Sequence, residues 1–213
     1  MSIVAFDFDG TLSDSEMTVL LGKRIGAAAE MERITARAMN DEIDYATSLR
    51  ERCALLDGLS IEDAEAAFDD VVLRPGAADV IRSLNAAGVH TAILTGGFER
   101  GVEAALERAG VAVDDIVANR LPVKDGALTG NVEGALVDGT KDAALEELAD
   151  DKGVPLTETI AVGDGANDLP MLDIAGVAIG FAPKDAVAPA CDVIVETMDE
   201  LEAELRKRGV LEQ

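Results

Sequence analysis

The sequence predicts an α/β fold, a doubly wound parallel sheet with a helical bundle inserted after its first strand. Two patterns point there. From about Arg74 onward, short β-like runs alternate with helix-like segments, the rhythm of a parallel sheet. From Glu16 to about Val72 no β-like run occurs, while Ala, Glu, Arg, Leu and Ile recur at helical spacing. A third observation sets the core: 48% of the 213 residues are hydrophobic, enough for a sizeable interior. Aromatics are only 3% and Trp is absent, so that interior is aliphatic. The expected division is a core of residues 1–14 and 73–213, with a small hairpin near 121–132, and a helical insertion of residues 15–72.

The first strand lies in "IVAFDFDGTL", Ile3 to Leu12, and is expected to end near Asp9. A strand's side-chain period of two puts Asp7 and Asp9 on one face. Like charges that close raise each other's pKa, and a buried unpaired charge is costly, so a positive group must meet them. "EMTVLLGKRIGAAAEMERITARAMN" and "YATSLRERCALLDGL" then read as amphipathic helices. "SIEDAEAAFDDVV" opens with Ser60 as N-cap and Asp63 three residues on, close to a capping box.

In "RPGAADVIRSLNAAG", Pro75 fits the first helical position and Gly88 the stop. "HTAILTGG" is a strand, "FERGVEAALERAG" a helix and "DIVANRL" a strand. "VKDGALTG" carries the Asp-Gly of a tight hairpin. "TKDAALEELADDKG" is a helix, "TIAVGDGAND" a strand with a polar end and "LPMLDIAG" a short helix. "VAIGF" and "DVIVE" are the final strands, with a helix expected after each.

Forty-two acids face eighteen bases, a formal charge of -24. Such a surface repels nucleic acid and anionic membranes, so neither is an expected partner. The acids are dispersed rather than gathered in a tail, which suits a solvated shell in a salt-loving host. No apolar run of about 18 residues suggests a membrane span, and the first strand begins without a basic leader, so a cytoplasmic location is expected. Cys53 and Cys191 lack CxxC spacing and read as two reduced, buried thiols. The one histidine, His90, opens an apolar run as a strand-edge residue, so a Ser-His-Asp triad is not expected.

Ligands of open α/β sheets bind beyond the carboxyl ends of the strands. Three strand ends here carry reactive groups: Asp7 with Asp9, Thr95-Gly96-Gly97, and Asp164 with Asn167 and Asp168. Lys141 opens the helix before the third. Mg²⁺ favours carboxylate and water oxygens, and Asp7, Asp164 and the backbone carbonyl of Asp9 can supply them. Taken singly, each element has a plainer explanation as a helix cap, a glycine turn or a solvated lysine. "GDGAND" lacks the third glycine of a dinucleotide site, and Gly10 is misplaced for a calcium loop. The four together, in this order, are far more specific.

"DFDGT", "LTGG", Lys141 and "GDGAND" resemble the four motifs of the haloacid dehalogenase-like phosphatase superfamily, along the whole chain. Within it, "DSE", "SLRERCALL" and "ANRLPVKDGALTG" are most similar to the branch that hydrolyses phosphoserine. That resemblance implies Asp7 as nucleophile and Asp9 as general acid, then base. It implies Thr95, Gly96, Lys141 and Asn167 around the phosphate, Mg²⁺ on Asp7, Asp9 and Asp164, and Asp168 orienting Lys141 or a metal water. The helical insertion becomes a cap that selects substrate. Glu16 would pair with an ammonium and Arg52 with a carboxylate, while Arg50 stays solvated and Met39 and Tyr45 supply apolar walls. Two departures stand out: Gly10 where close relatives often have Ser, and Thr95 for the usual Ser. The expected reaction is Mg²⁺-dependent release of phosphate from O-phosphoserine in serine biosynthesis. The rivals are a phosphatase for another small metabolite, phosphotransfer to an acceptor such as homoserine, and a non-catalytic binding module.

Overall fold

Strand β1 (Ile3–Phe6) is buried along its whole length, as a strand covered on both faces must be. A computed structural model describes the chain over residues 2–39 and 42–212, without the side chain of Met39. After β1 come four helices, α1 (Met17–Arg24), α2 (Ala28–Met39), α3 (Tyr45–Ala54) and α4 (Ile61–Phe68). The chain continues through α5 (Ala77–Ala86), β2 (His90–Phe98), α6 (Glu99–Ala109) and β3 (Asp115–Asn119). The hairpin β4 (Val123–Lys124) and β5 (Ala127–Leu128) leads to the short α7 (Ala135–Asp138) and to α8 (Lys141–Lys152). The last elements are β6 (Thr159–Gly163), α9 (Leu169–Ile174), β7 (Val177–Phe181), β8 (Val193–Val195) and α10 (Met198–Lys207).

Six strands form one parallel sheet in the order β3-β2-β1-β6-β7-β8. The chain works outward from β1 to β3 on one side and from β6 to β8 on the other. The order therefore reverses between β1 and β6, and the crevice beyond their carboxyl ends is where such sheets bind ligands. One apolar cluster joins a face of the sheet to the inserted helices and α10, through Phe8, Met17, Leu49, Phe68, Phe98 and Leu201. Phe68 and Phe98 meet edge to face at 6.4 Å. A second cluster seats α8 and α9 on the opposite face.

Four local expectations change. Strand β1 stops at Phe6; Asp7 keeps one ladder bond, to the Val162 carbonyl at 2.8 Å, and the chain then turns. Asp7 and Asp9 thus share a site because of a turn closed on the Phe8 carbonyl, with Gly10 at φ 95°, rather than a strand period. The first inserted helix is two, broken where Gly26 adopts φ 72°. Pro75 precedes the Gly76 N-cap instead of occupying the first helical turn, while Gly88 does end α5 at φ 69°. After β7 there is only a single 3-10 turn, Ala188–Ala190.

The hairpin turn has positive φ at both Asp125 and Gly126, as its Asp-Gly sequence requires. A third stretch joins it: Gly58 and Ile61 donate to Leu128 and Gly126, and Leu128 to Leu59. The hairpin therefore fastens the loop between α3 and α4. Cys53 and Cys191 are free thiols, but only Cys53 is buried, Cys191 being half-buried after the 3-10 turn. His90 begins β2 with Nε2 2.6 Å from Asp115 Oδ2. No helix among the described residues is long and apolar enough to cross a membrane.

Candidate active site

The carboxyl ends of β1, β2 and β6 and the faces of α1 and α3 enclose a cavity of about 400 Å³. The Lys141 ammonium lies at its floor. Lys141 opens α8 and is buried, with Nζ 2.5 Å from Asp7 Oδ1 and 2.6 Å from Asp168 Oδ1. The other oxygen of Asp168 accepts from the backbone amides of Asp164 and Gly165, each at 2.9 Å. Asp168 is thus fully engaged, anchoring the lysine and the β6 turn together.

Asp164 accepts from Thr11 Oγ1 at 3.5 Å and faces Lys184 Nζ at 3.2 Å. Carboxylate oxygens of Asp7, Asp164 and Asp168 lie within 4.8 Å of one another, all three residues being buried. A Cβ at Gly10 would run into the Asp164 carboxylate as it stands, so glycine lets the two turns pack this closely. Asp9 turns aside: its Oδ2 accepts from the Met17 amide at 3.3 Å at the start of α1. Its buried Oδ1 has no hydrogen-bond partner among the described residues.

The electrostatics follow from this crowding. Burial raises Asp7 to about 7, Asp168 adds to the rise, and Lys141 opposes it. Burial also lifts Asp9 well above the ordinary carboxylate range, helped by Glu16 and Asp7. For Lys141 burial acts downward, yet Asp168 and Asp7 outweigh it and hold the ammonium above its usual value. Four buried or pocket-lining aspartates thus face two lysines. An oxygen-only donor set with surplus negative charge fits a hard divalent cation, and Asp7 and Asp164 have the coordination capacity that Asp168 has spent.

Thr95, at the end of β2, is buried, and its Oγ1 accepts from the Gly97 amide at 3.0 Å. Asn119 holds the same irregular part of β2 by donating from Nδ2 to the Gly96 carbonyl at 3.1 Å. Asn167 is exposed on the cavity wall. Across the cavity stand Glu16 and Arg52. Arg52 is buried on α3, its Nε donating to the Ser48 carbonyl at 3.3 Å and its Nη1 to Thr18 Oγ1 at 3.1 Å. Glu16 stays open to solvent at the mouth; crowding by protein raises its carboxyl, with Lys184 and Arg52 pulling it down. Tyr45 also lines the cavity, while the side chain of Met39 lies outside the described residues.

Every candidate residue read from the sequence, Asp7, Asp9, Glu16, Arg52, Thr95, Gly96, Asp164 and Asn167, lines this one cavity, with Lys141 beneath it. Arg50 lies outside the cavity and is exposed, as expected, and there it pairs with Asp138 of α7. Three residues escaped notice. Asn119 sat unremarked in "ANRL"; Lys184 sits in the loop after β7, far along the chain. Arg74 donates from Nη2 to the Gly10 carbonyl at 3.0 Å and stacks over Phe181 at 5.4 Å, bracing the turn that carries Asp9. Only the residue before a Pro-Gly turn marked it.

Residues 4–173 match the family model of haloacid dehalogenase-like hydrolases. A phosphoserine phosphatase of Halobacterium salinarum is 51% identical over 210 residues, covering 99% of this chain and 100% of that protein. A substrate-bound phosphoserine phosphatase complex superposes with a TM-score of 0.87 at 36% identity, covering 97% of each chain. A phospho-aspartyl intermediate analogue of phosphoserine phosphatase gives 0.86 at 37% identity, covering 97% of this chain and 98% of that one. The chain belongs to the haloacid dehalogenase-like hydrolases, within their phosphoserine phosphatase branch.

Proposed function

We propose that this protein hydrolyses O-phosphoserine to serine and phosphate through an aspartyl-phosphate on Asp7, with Mg²⁺ as cofactor. The observation that carries the reading is the pairing of Asp7 with Lys141 on the floor of a cavity whose far wall holds Arg52 and Glu16. The floor suits a phosphoryl group and the wall suits an amino acid. Relatives and solved neighbours named as phosphoserine phosphatases support the same substrate.

Phosphoryl transfer is chiefly positioning and charge neutralisation. An Asp7 oxygen attacks phosphorus while the ester P–O bond breaks. Asp9, whose protonated form is favoured by burial and by Glu16 and Asp7, gives a proton to the departing serine oxygen. Water then attacks the aspartyl-phosphate, Asp9 takes its proton back, and the bond between Asp7 and phosphorus breaks. Lys141 neutralises phosphoryl oxygens while Asp168 holds it in place. Thr95 Oγ1, the Gly96 amide and Asn167 orient the same oxygens. Asp7, Asp164 and the Asp9 carbonyl would hold the Mg²⁺, which supplies positive charge that keeps Asp7 ionised.

The inserted helices, residues 15–72, act as a cap on the core of residues 1–14 and 73–213. Arg52 offers a guanidinium to the substrate carboxylate and Glu16 a carboxylate to its ammonium. The enzyme works in a salt-rich cytoplasm, in keeping with its acidic surface, and takes a small phosphomonoester as its partner. The test is phosphate release from a panel of phosphomonoesters with Mg²⁺ in high salt. Phosphoserine is turned over fastest, and Arg52→Ala raises its KM about tenfold or more while leaving an aryl phosphate nearly unaffected. Equal rates on phosphoserine and a generic aryl phosphate would discard the substrate.

A further inference from the structure

Tyr45 is the first residue of α3, and its place is fixed by the cap before it. Asp44 accepts from the Thr47 amide at 2.7 Å and from Thr47 Oγ1 at 3.0 Å. From there the ring reaches across the cavity to Gly96, in the irregular last part of β2. A Cβ built on Gly96 would collide with the Tyr45 hydroxyl before any other atom of the chain. Gly96 is not among the glycines with positive φ, so its backbone places no demand for glycine. The phenol's approach makes that demand.

The polar end of Tyr45 is therefore what comes nearest Gly96, with the ring behind it. It is still partly open to the cavity, at 39% exposure, and makes no hydrogen bond among the described residues. Crowding in the pocket pushes the phenol up to about 12, so it remains a neutral donor at any working pH. A fixed donor without an acceptor, held over Thr95 and Gly96 and close to Lys141, suits an incoming anion.

We propose that the Tyr45 hydroxyl is a phosphate-binding group, donating a hydrogen bond from the cap to a phosphoryl oxygen seated on Thr95 and Gly96. This rests on the reading of the cavity as a phosphomonoester site. It changes the part of Tyr45 from an apolar wall to a polar contact between the inserted helices and the end of β2. Tyr45 then reads the phosphoryl group, common to every phosphomonoester, whereas Arg52 and Glu16 read the amino acid.

The probe is inorganic phosphate, titrated calorimetrically into the Mg²⁺-loaded protein in high salt. Tyr45→Phe deletes the donor and keeps the ring, and is expected to weaken phosphate binding about tenfold. The same factor is expected in the inhibition of aryl phosphate hydrolysis by phosphate. Wild-type affinity in Tyr45→Phe overturns the assignment, and so does a loss seen only in Tyr45→Ala, which would mean that the ring alone matters. Because phosphate and an aryl phosphate carry no amino acid, failure here is separable from failure of phosphoserine as substrate.

Discussion

Asp164 illustrates how one residue can be held in readiness by a neighbour of opposite charge. Its carboxylate is buried beside Asp7 and pairs with Lys184, whose exposed side chain reaches in from the loop after β7. An exposed lysine can withdraw at little cost, which leaves Asp164 free for a cation. Asp168 has no such freedom, since both its oxygens are committed. Asp164→Asn should therefore cut Mg²⁺ affinity by at least about tenfold while the protein stays folded, since one charge of a buried acidic excess is removed. The readout is the rise in melting temperature on adding Mg²⁺, large in the wild type and small or absent in the variant. An equal rise in both would move the ion elsewhere. Asp168→Asn, by contrast, strips Lys141 of its anchor and should lower stability with or without Mg²⁺.

At the level of elements, α10 shows what charge placement adds to an amphipathic helix. Leu201 and Leu205 are buried against the sheet, and Glu204, itself buried, accepts from Lys207 Nζ at 3.0 Å and Arg208 Nε at 2.7 Å. The Lys207 bond leads in holding Glu204 below its ordinary pKa, against a smaller upward push from burial. A carboxyl with a lowered folded pKa adds stability that is fully present above its unfolded value of about 4.3 and fades as pH falls through the folded one. The melting-temperature gap between wild type and Glu204→Gln should hold from pH 7 to 5 and close below about pH 4. Its size is under about 1 kcal/mol, as for other pairs at this spacing.

Elements of this kind were legible in the sequence because periodicity and caps are local: Ser60, Gly88 and Asp125-Gly126 all act within a few residues. The Asp pair, Thr95 and "GDGAND" were legible because they stand at predictable strand ends, and Lys141 because it opens the helix before the third. What tertiary contact decides was not. Nothing local says that Arg74 would bridge to the Gly10 carbonyl, that Arg50 would cross to Asp138, or that Tyr45 would lead with its hydroxyl. The end of β1 at Phe6 was missed because the Asp7 amide still pairs with Val162, so the pattern continues one residue beyond the strand.

For the molecule as a whole, the governing quantity is a charge of -24 spread over 213 residues. Arginines are mostly committed to exposed pairs, such as Arg24 with Asp70 and Arg100 with Glu65, and such pairs stabilise little. The remaining acids repel one another, and the unfolded chain relieves that repulsion by expanding. Raising salt shortens the Debye length from about 10 Å at 0.1 M to about 3 Å at 1 M, so surface repulsion is screened away. The buried Lys141–Asp7 and Lys141–Asp168 contacts are screened far less, because no solvent separates them. Salt should therefore act on folding more than on chemistry. Between 0.1 and 2 M KCl the melting temperature should climb by roughly 5–10 °C, a gain of a few kcal/mol for a chain of this size. Turnover per folded molecule should stay within about twofold once the folded fraction is measured in parallel by circular dichroism. A melting temperature highest in dilute buffer would mean that the acids are compensated in a way their distribution does not suggest. A rate per folded molecule that climbs with KCl would place the salt effect inside the cavity, on Glu16 and Lys184 at its mouth, rather than on the surface.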